Sequence, residues 1–314
     1  KEERRPYEQQ FYMNAAMLRG QQRGSWDHIN GKLVVPPVPT HRVRLQINKI
    51  RPKIKARIAK FTKNRPVPVV VPASTDKEDR LNDSAKQKIL DYLWRKLNLE
   101  AKFKQALLWA TVSSKGFWWI YWDESAIGRV KQEVEGIPGE TAIQEAMLGD
   151  VAVEVGSPFE VYVDDLGIPF IGDQPRILRV KLRPIEDIKA RYPEYAEKLK
   201  ADHSASTDLG TYEKQIANLN AKSAGYGSTR DVKAPSQITV KEFFEKSCAK
   251  YPKGRYVVVA GDCVVKVKEE LPFGFYDQEN PYPVVEFNDS ITVGQFWNTT
   301  LVEQLIDIQK EYNL

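Results

Sequence analysis

Cysteine, histidine and methionine are scarce in this sequence: two, three and three residues in a chain of 314. Cys248 and Cys263 are too few for a disulfide framework, and a reducing compartment fits best. His28, His41 and His203 are scattered through polar stretches, so the thiols and imidazoles offer no zinc spacing, and no histidine adjoins a nucleophile. Each histidine reads as an ordinary surface residue. Long apolar runs are missing as well. The longest, Phe117 to Trp122, Ala106 to Ala110 and Tyr256 to Ala260, fall far short of the ~20 residues that cross a bilayer, so no membrane span is expected. Lys1 to Arg5 carry both signs and lead into no apolar stretch with a small-residue cleavage site, so no secretion signal is read there. The chain has no GxxxxGKS/T, GxSxG or HExxH pattern and no DFG or HRD set, which removes the commonest phosphate-loop, hydrolase, zinc-protease and kinase signatures.

What is present is the balance of a folded chain: 42% hydrophobic and 28% charged residues, with length for one large domain or two small ones. The net charge of +5 is too small to name a partner. Its distribution is more informative. Eleven of the 47 basic residues and none of the 42 acidic ones lie between His28 and Ala73, so the rest of the chain is net acidic. A local field of that kind attracts phosphate, an anionic membrane or an acidic protein face, and sequence does not choose among them.

Tyr7, Phe11, Tyr12, Met13 and Met17 recur about one helical turn apart and predict a short amphipathic helix, broken over Gly20 to Gly31. The VVPPVP stretch within Leu33 to Thr40 must be extended. Ile47, Ile50, Ile54, Ile58 and Phe61 share one face of a helix whose other faces carry Lys49, Lys53, Arg57 and Lys60. Pro52 places either the first turn or a kink there. After a second extended piece, Asn64 to Pro72, helices are predicted from Asp76 to about Lys96, with Leu90, Leu93, Trp94 and Leu97 inward, and from Leu99 to Thr111. The period then changes to two. GFWWIYWD reads as a strand, turning over Glu124 to Gly128 into a return strand Val130 to Val134. Further strands are expected at Asp150–Val155, Phe159–Val163 and Ile177–Leu182, then a helix through PIEDIKARYPEYAEKLK. Residues 201–237 read as a mobile insertion poor in hydrophobic content. Ile238–Cys248, Arg255–Ala260 and Cys263–Lys268 form an antiparallel meander with a Gly261-Asp262 turn. A final helix begins near Thr299 with a stripe of Leu301, Leu305 and Ile308. It runs to the last residue, so a longer protein is expected.

Three groups of residues invite a functional reading. The basic helix supplies Arg42, Arg44, Lys49, Arg51, Lys53, Lys55, Arg57 and Lys60 as contacts for DNA or another acidic partner; phosphate contacts of this kind are sequence-independent and weaken steeply with salt. A solvated face is the plain alternative. In the aromatic strand, Phe117, Trp119 and Tyr121 face one side and Trp118, Ile120 and Trp122 the other, which suits a central strand covered on both faces or a subunit contact. Asp123, Glu124, Asp150, Asp164 and Asp165 can in principle gather around a divalent ion, as in nucleases, although aspartates at strand ends are more often turn formers.

Several pieces recur in a familiar order. NKIRPKIKARIAKFTKNRPVPVVVPA, SSKGFWWIYWD, GDVAVEVGSPFEVYVDD, PIEDIKARYPEY, the meander with LPF, and QKEYN together resemble the portal protein of tailed bacteriophages, the podovirus-like type, over about residues 42 to 313. No single motif is specific; their order carries the resemblance. It implies an α+β fold, with an N-terminal arm at 1–41, a wing-like antiparallel β-rich domain at 42–298 and the start of a long stem helix at 299–314. It also implies a structural subunit without catalysis, metal or cofactor. Such subunits form a dodecameric ring at the capsid vertex of the virion, assembled in the host cytoplasm, through which DNA is packaged and ejected. The implied partners are other copies of the chain, the major capsid protein, scaffolding protein, terminase, a head-tail adaptor and double-stranded DNA bound non-specifically, with no membrane among them. Trp118, Trp119, Trp122, Gln309, Tyr312 and Asn313 are the expected core or subunit-interface residues. The competing classes are a metal-dependent nuclease using Asp123, Asp150 and Asp164, and a monomeric non-specific DNA-binding module.

Overall fold

The computed structural model describes residues 2–27, 32–34, 46–63, 69–71, 77–124, 126–133, 141–147, 149–201, 236–272 and 281–313. Four helices come first: α1 (Arg5–Arg19), α2 (Ile50–Lys63), α3 (Lys77–Lys96) and α4 (Leu99–Ser113), with a short hairpin, β1 (Ser25–Asp27) and β2 (Lys32–Val34), between α1 and α2. Pro6 occupies the first turn of α1, and Gly20 ends that helix at φ 106°, where its N–H bonds the carbonyl of Met17. Pro52 likewise lies in the first turn of α2, so the helix is not kinked there. Asn48 caps it by accepting the Arg51 N–H at 2.9 Å.

The middle of the chain is antiparallel. A three-stranded sheet has the order β12 (Val284–Asn288), β3 (Lys115–Asp123), β6 (Asp150–Gly156). A five-stranded sheet has the order β11 (Cys263–Lys268), β10 (Arg255–Ala260), β9 (Gln237–Glu245), β8 (Arg176–Pro184), β7 (Val161–Val163). The predicted meander is β9–β10–β11. The aromatic strand β3, however, does not turn back onto its sequence neighbour. β4 (Ile127–Glu133) pairs with β5 (Thr141–Met147), while β3 takes β6 and β12 as partners, Trp119 lying opposite Glu154 and Val284. A strand apolar on both faces gains more in the middle of a sheet than in a two-stranded ribbon.

Two local expectations are also corrected. Ser157 Oγ accepts the Phe159 N–H, so Pro158–Glu160 forms a 3-10 turn and β7 begins only at Val161. The helix after Pro184 is shorter than predicted: α5 spans Ile185–Arg191, because Pro193 holds Tyr192 at φ −129°, ψ 68°, outside the helical region. The insertion expected at 201–237 falls almost wholly outside the described residues.

The fold is therefore α+β. Its main core joins Phe11, Tyr12, Ala15 and Ala16 of α1 to Phe117 and Trp119 of β3, Phe159, Phe244 of β9, Tyr282, Phe296 and Trp297. Residues 5–19, read from sequence as part of an arm, thus pack in the same core as the sheets. A second core lies under α5 and the meander, with Ile188, Leu199, Ile238, Val258 and Val265. The third is formed by helices: Met17 of α1, Ile50 and Ile54 of α2, and Val302 and Ile306 of α6 (Leu301–Tyr312). Thr300 and Glu303 make a reciprocal cap at the start of α6. The buried stripe of α6 is Val302, Ile306 and Gln309; the predicted Ile308 is 66% exposed, one step round the helix.

Candidate functional site

The C-terminal end of α6 is tied to the chain around α1 and α2 by polar side chains. Gln309, 2% exposed, donates from Nε2 to the Ile47 carbonyl at 2.9 Å and accepts the Lys49 N–H at Oε1 at 2.8 Å. One amide side chain thus satisfies the backbone on both sides of Asn48, as a strand partner would. Asn313 donates to Gln22 Oε1 at 2.7 Å and accepts the Ile47 N–H at 3.1 Å, while its carbonyl takes Arg23 at 2.6 Å. Tyr312 is 55% exposed, with the Lys49 ammonium 5.3 Å from its ring centroid. Gln309 and Asn313 therefore form an intrachain latch, and Tyr312 remains at the surface.

The basic face of α2 lies next to this latch. Lys49, Arg51, Lys53, Lys55 and Lys60 are exposed. Among the described residues, Arg51, Lys53, Lys55 and Lys60 have no ion partner. Arg57 differs: it pairs with the buried Asp289 at 3.0 Å, which ties α2 to the chain after β12. Burial pushes the Asp289 carboxyl up, and Arg57 opposes that shift. Arg42 and Arg44 lie outside the described residues.

In β3, Phe117 and Trp119 are buried, and Trp118, 9% exposed, packs edge-on against Phe103 of α4 and Phe287 of β12. Both faces of the strand are covered at that end. At its far end the cover stops, and Trp122 is 57% exposed.

A network missed from the sequence joins the two larger sheets. Arg179, 3% exposed, reaches Glu154 at 2.7 Å, Glu160 at 3.3 Å and Glu242 at 3.5 Å, with its guanidinium 4.6 Å from the Trp119 ring centroid. Glu154 also takes Lys181 and, at 2.9 Å, Arg183. Burial opposes the charge of Glu154, yet Arg179, Lys181 and Arg183 hold its carboxyl down at about 2. Beside the network, burial and Glu242 push the Tyr256 phenol well up; its hydroxyl donates to Glu242 at 3.0 Å. The sequence signal was the alternation Arg179-Val180-Lys181-Leu182-Arg183, which puts three cations on one face of β8.

This network borders an open cleft of about 480 Å³ between β3 and the β8–β11 face. Trp119, Tyr121, Trp122, Tyr192 and Tyr256 form aromatic parts of its wall, and the other lining groups are mostly charged.

The acidic residues proposed as metal ligands are engaged separately. Asp123 and Asp150 face each other across β3 and β6, but Asp123 lies 3.6 Å from Arg191 and Asp150 binds Lys96. Asp164 pairs with Arg176 at 3.1 Å, and Asp165 Oδ1 accepts the Gly167 N–H at 2.7 Å. No group of three His, Cys, Asp or Glu side chains suited to a metal occurs among the described residues, and no described helix is long and apolar enough to cross a membrane. Compared with models of protein families and with curated protein sequences, the chain matches none.

Proposed function

We propose that the chain is a structural subunit of a portal-type ring at a phage capsid vertex, a conduit for DNA and a platform for terminase and tail components. The observation that carries this reading is the latch. Gln309 and Asn313, which belong to the QKEYN segment of the resemblance, are committed to holding α6 against the chain before α2. In the proposed ring this anchoring couples the stem helix to the body of its own subunit. The α2 cations Arg51, Lys53, Lys55 and Lys60, without an ion partner among the described residues, add a surface for acidic neighbours or for the phosphate backbone. Ring closure needs complementary head-to-tail surfaces, and exposed Ile308 and Tyr312 on α6 supply apolar area for them.

A monomeric non-specific DNA-binding module is the second reading, favoured by the same unpaired cations. Sedimentation of the gene product at micromolar concentration separates the two. One species many times heavier than the 36.0 kDa chain supports the ring, and a monomer overturns it. Magnesium-dependent cleavage of duplex DNA that disappears in Asp164→Asn would overturn both in favour of a nuclease.

A further inference from the structure

We infer that the outer face of α2 on one copy of the chain docks against the outer face of α6 on the next, a head-to-tail contact between a basic and an acidic helix. The inference rests on the ring reading only for closure; the contact itself follows from charge and packing. The charged residues of α2 are all basic: Arg51, Lys53, Lys55, Arg57, Lys60 and Lys63. Those of α6 are Glu303, Asp307 and Glu311 against Lys310. A rotational assembly needs two different patches of one chain that complement each other, and these helices supply opposite signs.

The two faces cannot meet within one copy. Ile50 and Ile54 of α2 join Val302 and Ile306 of α6 in a shared core, so the opposite sides of both helices point away from it. On α2 that side holds the exposed Pro52, Ala56 and Ala59, edged by Lys53 and Lys60. On α6 it holds the exposed Ile308, with Asp307 and Glu311 beside it. The Asp307 side chain is 95% exposed, and its pairing with Lys310 at 3.9 Å is an i,i+3 contact that solvent screens. Glu311 has no ion partner among the described residues. Lys49 lies against the Tyr312 ring, so the acidic character of α6 is confined to its Asp307 and Glu311 edge. The short side chains of Ala56 and Ala59 leave room for Ile308 between the charges, and the buried apolar area then adds affinity to a contact that the charges orient.

Sedimentation of the gene product at micromolar concentration, with charge reversals on either helix, tests the contact. Lys53→Glu/Lys60→Glu and Asp307→Lys/Glu311→Lys are each expected to weaken association at least about tenfold with unchanged thermal unfolding, since all four residues are exposed. An equimolar mixture of the two variants should regain the parental assembly, because each reversed helix then meets the other. Recovery as an open series of sizes instead of one species supports the contact and contradicts the ring. Double variants that assemble like the parent, or a mixture that stays dissociated, overturn the contact, while a single ring-sized parental species leaves the ring reading standing. If Lys53→Glu/Lys60→Glu assembles normally but loses binding to duplex DNA, α2 faces phosphate and the contact is overturned. A monomeric parent overturns both.

Discussion

Glu154 of β6 is a charged link between the two larger sheets. Its side chain is 21% exposed and surrounded by Arg179, Lys181 and Arg183. Removing its charge leaves a buried guanidinium with poorer compensation. Glu154→Gln is therefore expected to lower unfolding stability in urea by roughly 3 kcal/mol. Arg183 is 34% exposed, and solvent screens its part, so Arg183→Gln should cost at most about 1 kcal/mol in the same assay. The pH dependence has a defined direction. With the folded carboxyl held at about 2 against an ordinary 4.5, Glu154's contribution is complete above about 4.5 and is lost as pH falls through about 2. The loss of stability over that window should be steeper in the parent than in Glu154→Gln. A similar design surrounds Lys115, 1% exposed, which donates to the Pro169 carbonyl at 2.7 Å, Asn288 at 2.6 Å and Glu286 at 3.1 Å. Burial lowers its pKa, and Glu286 opposes that.

Among the elements, α4 and β3 approach closely at Gly116. A Cβ on Gly116 would lie 2.2 Å from the Ala106 carbonyl oxygen, a backbone atom that cannot swing away. Gly116→Ala is expected to cost about 3 kcal/mol, read by thermal or urea unfolding, because the helix must shift off the strand. The latch of α6 gives a more local prediction. Gln309→Leu leaves the Lys49 N–H and the Ile47 carbonyl without their partner, and should cost about 2 kcal/mol while speeding hydrogen exchange at Lys49. These elements differ in how far they were legible beforehand. Helices α1, α2 and α4 and the β9–β11 meander follow from periodicity and a Gly-Asp turn, since both signals act within a few residues. The partners of β3 did not, because pairing with β6 and β12 depends on which distant strands bury its two faces. The stripe of α6 was misplaced by one step because Gln309, a polar residue, takes an inward position that apolar periodicity assigns to Ile308. Arg179 was overlooked for a related reason: its glutamate partners come from three separate segments, at 154, 160 and 242.

At the scale of the whole molecule, one basic face, one acidic remainder and two exposed apolar positions on α6 have to be accounted for together. If the α2 cations meet phosphate, DNA affinity must fall linearly with salt on a logarithmic scale. Lys53→Gln/Lys55→Gln should reduce that slope by about 2, since each lost phosphate contact releases about one counterion fewer. Filter-binding titrations over a range of salt concentrations give this slope, and an unchanged value would assign those lysines to solvent. In the proposed ring, subunit contacts draw on the same surface and on the exposed Ile308 and Tyr312. Imaging by electron microscopy is the most direct test, using the protein as encoded by its gene. Annular particles with twelvefold symmetry around an open channel are the predicted result, and a field of dispersed single subunits at micromolar concentration would contradict it.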